Sequence, residues 1–144
     1  MKLIIAIMLT LSSAVYADDL ILGEYTHHFK DLRCKGCKPF TNEHPLLGYS
    51  TDDYIFFAMK NSYDKDSVAV LRSIKTDVGQ YLTPFAAAGL VTGYEQVKPK
   101  YIYAGVAALG YIGMDIHPAS NDVGLVITWV PGQFIGAGIR FRLP

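Results

Sequence analysis

The sequence predicts an all-β chain, an eight-stranded antiparallel up-and-down β-barrel of the outer-membrane kind. Three observations predict it. Apolar runs of six to twelve residues recur between clusters of Gly, Pro, Asp and Asn, and none keeps a helical period. The final two runs alternate strictly: Val123, Leu125, Ile127 and Trp129 share one face, as do Ile135, Ala137, Ile139, Phe141 and Leu143. Gly136, Gly138, Arg140 and Arg142 take the opposite face, and arginine is costly against lipid, so that face is the interior.

The third observation is the start of the chain. Met1-Lys2, an apolar run from Leu3 to Leu11 and small residues closing at Val15-Tyr16-Ala17 have the layout of a cleavable export signal over residues 1–17. Residues 18–144 then form one domain by length. Hydrophobic residues make up 51% of the chain, yet no run reaches the roughly 20 apolar residues of a membrane helix. A membrane barrel or a soluble β domain fits that balance. Lys and Arg number 13 against 13 Asp and Glu, for a formal net charge of +0, which gives no pull toward nucleic acid or an acidic surface.

The predicted strands, in order, are Asp19 to Lys30, His44 to Tyr49, Tyr54 to Lys60, Ser67 to Ile74, Gln80 to Val91, Lys100 to Leu109, Asp122 to Val130 and Phe134 to Leu143. Ser50-Thr51-Asp52-Asp53 is the tight turn between the second and third. In the first strand Glu24, Thr26 and His28 share a face, opposite Ile21, Tyr25 and Phe29, which turns His28 inward and His27 outward. Pro84 removes a ladder donor and marks an edge or a local gap in the wall. Runs such as YIFFAM and YIYAGVAAL are apolar on both faces, so the lumen is expected to be lined with groups that suit a hydrocarbon chain. Trp129, Tyr25, Tyr94, Tyr101 and Tyr103 lie near strand ends, as an interfacial aromatic belt would. With residue 18 on the periplasmic side, loops 31–43, 61–66, 92–99 and 131–133 are extracellular.

Cys34 and Cys37, the only two cysteines, are expected to form a disulfide after export, closing a small loop. A zinc site from His27, His28, Cys34 and Cys37 has suitable ligand types, but adjacent histidines on a strand point to opposite faces. Neither a metal nor a cofactor is expected. Strand parity brings His28 and Ser62 to one rim. Such a pair permits acyl transfer, with His28 as general base and Ser62 as nucleophile or orienting hydroxyl, and Glu43, Asp64 and Asp66 are the nearby carboxylates available to support it. His117, at the opposite rim, is expected to be incidental.

Four stretches resemble the outer-membrane lipid A palmitoyltransferases. Thr26-His27-His28 is similar to that family's Thr-Trp-His, Asn42-Glu43-His44-Pro45 to its Asn-Glu-Arg-Pro, and Lys60-Asn61-Ser62-Tyr63-Asp64-Lys65 to its Lys-Asp-Ser-Trp-Asn-Lys. The segment VITWVPGQFIGAGIRFRL, residues 126–143, resembles its last hairpin. The resemblance implies a barrel enzyme with an internal well for the acyl chain, a phospholipid donor, lipid A as acceptor, and a monomer in the outer membrane. It makes His28, Asn61 and Ser62 catalytic, with Asn61 in the place of an aspartate, and puts Asn42, Glu43, Gly136 and Gly138 against substrate. Asn61 carries no charge, so it would act through hydrogen bonds alone. The alternative expectation is a non-enzymatic outer-membrane barrel that binds a lipid or a partner.

Overall fold

A computed structural model describes residues 19–29, 40–76, 78–95, 102–103, 105–118 and 122–143. Within them the strands are β1 (Asp19–His28), β2 (Glu43–Ser50), β3 (Tyr54–Lys60), β4 (Asp66–Lys75), β5 (Leu82–Thr92), β6 (Ile102–Tyr103), β7 (Val106–Ile116), β8 (Val123–Val130) and β9 (Phe134–Arg142). Every pairing is antiparallel, and the order β5-β4-β3-β2-β1-β9-β8-β7 closes when β7 returns to β5. Eight strands therefore make a closed barrel, and β6 is a two-residue stub on β7. Closure removes both sheet edges. The predicted signal peptide, the Cys34–Cys37 pair and Tyr101 lie outside the described residues.

Two expectations about the strands need correction. The sixth long strand is Val106–Ile116 instead of Lys100 to Leu109. Gly105, at φ +78, makes the turn that starts it, and Gly110 and Gly113 lie within it. They look like loop residues, but a β-carbon at Gly113 would run into the ring of Phe85, so the glycine makes room for a core side chain. In β1 the pairing register shifts between Leu22 and Glu24, where Gly23 adopts φ +60. This bulge reverses the alternation. Asp19 and Ile21 face inward below it, and Glu24, Thr26 and His28 face inward above it, so Ile21 does not share the outer face of Tyr25.

Pro84 opens no gap. Its carbonyl accepts the N–H of Thr76, so its nitrogen points to the same side, just past the Lys75↔Phe85 rung that ends the β4–β5 ladder. The missing donor removes only the reciprocal bond to the Thr76 carbonyl, at the end of the ladder.

The interior is divided. Ile55 and Phe57 of β3, Ala69 and Leu71 of β4, Phe85, Ala87 and Val91 of β5, and Val126 of β8 pack together as the core. Toward the lower rim, where β1 begins, Arg140 of β9 pairs with both Asp19 of β1 and Asp115 of β7, all three buried. Arg142 shares the parity of Arg140 but lies at the barrel's lower end, exposed, and does not join the buried cluster. His117, just below β7, is buried as well; desolvation holds its pKa below the ordinary imidazole value, and Arg142 and Lys75 act in the same direction. Outside, Tyr25, Val70, Ile74, Leu90, Leu125, Trp129, Ile135 and Ile139 are exposed around the wall. Tyr94 does not belong to that belt: it is half-buried and lines the interior.

The ion cluster ties the neighbouring strands β1 and β9 to β7, which β8 separates from them. Removing one member leaves a buried charge without its counterion, which typically costs about 3–5 kcal/mol. Arg140→Met should therefore lower the urea midpoint of the folded barrel by a corresponding amount. Arg140→Met combined with Asp19→Leu and Asp115→Leu should recover most of it, because no buried charge is then left unpaired. Equilibrium unfolding in detergent micelles, followed by far-ultraviolet circular dichroism, checks both outcomes.

Candidate functional site at the upper rim

His28 ends β1 on the inner face, and the register of β1 against β9 sets it opposite Phe134. Its ring stacks on Phe40 at a centroid separation of 4.5 Å. The imidazole Nε2 lies 2.9 Å from Ser62 Oγ, and Nδ1 lies 3.4 Å from Asn42 Oδ1. With the proton on Nδ1, Asn42 Oδ1 accepts from it and Nε2 accepts the Ser62 hydroxyl. That is the tautomer a general base requires. The sequence-predicted pair of His28 and Ser62 thus meets at hydrogen-bond distance.

Asn61 does something else. It is fully buried in the turn between β3 and β4 and spends its whole side chain there. Its Oδ1 accepts the N–H groups of Tyr63 (2.9 Å) and Lys65 (3.1 Å), while Nδ2 donates to Ser67 Oγ (2.8 Å) and to the Gly93 carbonyl (2.6 Å). The backbone closes on the same residue, with Asn61 N–H on the Lys65 carbonyl and Asp64, at φ 60, donating to the Asn61 carbonyl. Asn61 therefore shapes the turn that presents Ser62 and ties it to the end of β5. The Thr41 N–H on the Ser62 carbonyl, at 3.0 Å, adds a strap from the neighbouring loop.

The other predicted residues divide as clearly. Asn42 reaches His28, so it takes the orienting place expected of Asn61. Glu43 is exposed and, like its β1 partner Tyr25, faces out of the wall. Asp66 pairs with Lys60 at 3.1 Å. Gly136 and Gly138 are in the wall, well below the rim. Space above Gly136 is filled by Glu24 Oε1 and Thr128 Oγ1, and Gly138 packs against the Gly23 carbonyl and Val126, so both serve the barrel's own packing. His27 faces outward, edge-on to Phe29.

His44 was not anticipated as a site residue. It is buried, its Nδ1–H donates to the Lys60 carbonyl at 2.9 Å, and its Nε2 accepts the Thr26 hydroxyl at 2.8 Å. Its ring lies 6.4 Å from that of His28, edge-on. The parity of β2 carried the signal: His44 is two residues from Asn42, on the same face.

Above this pair opens a cavity of about 420 Å³, with His28, Ser62, Phe40, Tyr94 and Phe134 in its lining. It continues to the side. The β7–β8 ladder reaches up only to Ile112↔Trp129, and the β6 stub covers Val106 and Ala107, so residues 108–111 have no ladder partner on that side among the described residues. Ala108 and the turn Pro131-Gly132-Gln133 border the resulting window. Lower in the barrel the remaining cavity is about 50 Å³, because the core fills the lumen that the sequence suggested for a hydrocarbon chain.

No family model and no curated protein matches the chain. Among solved structures it is similar to the N-terminal β-barrel domain of Pseudomonas aeruginosa OprF, with a TM-score of 0.48 and 14% identity over 88% of this chain and 98% of that one.

The bonds of Asn61 leave no place for a carboxylate at this position. Asn61→Asp removes the donor to Ser67 and Gly93 and sets an anionic oxygen 2.6 Å from a carbonyl. An unsatisfied or opposed buried polar group costs about 1–3 kcal/mol, so the variant should be less stable. The midpoint of thermal unfolding in detergent, compared with that of Asn61→Ala, measures it.

Proposed function

We propose that this chain is an outer-membrane barrel whose upper rim faces outward and moves an acyl chain between membrane lipids. The hydrogen bond from Ser62 Oγ to His28 Nε2, 2.9 Å long and at the floor of an open cavity, carries the reading. The apolar exterior suits lipid, and the closed ladder suits a medium without water. The long connections, 29–42 and 93–105, are at the upper end, as extracellular loops are. The resemblance to the lipid A palmitoyltransferases points to the same pair of residues and supplies the reactant classes, a phospholipid donor and a lipid A acceptor.

In this mechanism a phospholipid ester enters through the window beside residues 108–111. Ser62 Oγ bonds to the carbonyl carbon while its proton passes to His28 Nε2. Asn42 accepts from Nδ1–H and holds the ring in place. Collapse of the adduct breaks the bond to the glycerol oxygen, which leaves with the proton from Nε2. The acceptor's hydroxyl then attacks acyl-Ser62 by the same steps in reverse. The chain would lie in the upper cavity and the window, because about 50 Å³ below holds a water or two and no acyl tail.

That packed lumen favours a second reading, a non-enzymatic barrel that binds a lipid or partner at its rim. Lipid mass spectrometry separates the two. On cells expressing the protein, His28→Ala and Ser62→Ala should each abolish the modified lipid while leaving a heat-modifiable barrel; loss of a general base costs about 10²–10⁴ in rate. Asn42→Asp should keep or raise activity by giving the imidazolium an anionic partner, and His27→Ala should leave it unchanged. Identical lipid profiles for wild type and His28→Ala would hand the rim to the non-enzymatic reading.

A further inference from the structure

Acyl transfer at Ser62 moves the carbonyl π electrons onto oxygen, and that oxygen needs a donor. Most of the backbone N–H groups around the serine are spent. The N–H groups of Tyr63 and Lys65 go to Asn61 Oδ1, those of Asn61 and Asp64 close the turn, and that of Thr41 is held by the Ser62 carbonyl. Among residues 61–65 the N–H of Ser62 alone takes no part in these bonds.

Across the cavity is Gln133. Its N–H donates to the Val130 carbonyl at 3.0 Å, and its carbonyl accepts the N–H of Phe29, the residue after His28, at 2.7 Å. Both backbone bonds pin the residue beside the end of β1. Its side chain is exposed, borders the cavity that holds Ser62 and His28, and has no hydrogen-bond partner among the described residues. Two amide N–H donors are therefore available to the space where the carbonyl oxygen must go.

We infer that Gln133 is the oxyanion donor of this site, a catalytic residue that hydrogen-bonds the developing alkoxide as Ser62 attacks. The inference rests on the acyl-transfer reading. It also explains the anchoring of the β8–β9 turn. The backbone bonds of Gln133 with Val130 and Phe29 fix its Cα beside the end of β1, so only the side-chain torsions remain to be set when substrate arrives.

A long-chain alkyl fluorophosphonate tests the donor directly, because labelling needs an activated serine and a donor for the phosphoryl oxygen. The full chain, purified in detergent, is treated with the probe, and intact mass gives the labelling rate. Gln133→Ala should slow labelling about 10²–10³-fold, the usual loss for one oxyanion donor. Gln133→Glu should be slower still, since it opposes the charge that forms. Heat-modifiability should be retained in both, because the turn is held by backbone bonds. Equal rates for wild type and Gln133→Ala overturn the inference and leave acyl transfer standing. A loss in Tyr94→Phe with none in Gln133→Ala does the same and moves the role to Tyr94. Failure of wild type to label at Ser62 removes both the acyl-transfer reading and the donor assignment.

Discussion

Closure of the ring is the constraint on which everything else in this molecule depends. The β5–β7 ladder runs over all eleven residues from Leu82↔Ile116 to Thr92↔Val106, and it converts an open meander into a wall with an inside and an outside. Once closed, each residue has only two places to point, and a change in strand phase of one residue exchanges lumen for surroundings. The core of β3, β4 and β5 and the ion cluster of β1, β7 and β9 are the two fillings compatible with that wall. They brace different parts of it: apolar contact holds one side of the lumen, and charge pairing holds the lower end of the other.

Much of this was legible in the sequence for a simple reason. Strand parity is local, and the last hairpin states it plainly, with Arg140 inward between Ile139 and Phe141. Parity also brought His28 to the same rim as Ser62. What parity could not show was a break in its own rule. Gly23 reverses the phase of β1, and a lone glycine inside a strand does not announce whether it marks a bulge, a close contact or a turn. Gly113 illustrates the second case and Gly105 the third. The ambiguity displaced the sixth predicted strand.

The site was less legible than the fold because side-chain hydrogen bonds are specified by atoms and not by patterns. Asn61 and Asn42 are the same residue type, both close to the key pair in sequence or space. One has all of its amide consumed by four partners within its own turn and the end of β5, and the other is exposed with its oxygen toward His28. Family likeness favoured the first, and the donor and acceptor inventory of the folded chain favours the second. His44 was overlooked for a related reason: a buried histidine whose two nitrogens are already engaged looks, in a sequence, like any other.

The unpaired stretch of β7 has a consequence for how deep such a barrel can sit. On the β8 side residues 108–111 have no ladder partner among the described residues, and hydrocarbon has nothing with which to satisfy the peptide groups that point there. Water and lipid headgroups do, so in a membrane the hydrocarbon layer would end below that level. The last rung beneath it holds Trp129, whose exposed indole suits the boundary between the two media. The wall's one defect among the described residues thus acts as a waterline. In a lipid leaflet it would hold the rim of His28 and Ser62 above the layer of tails.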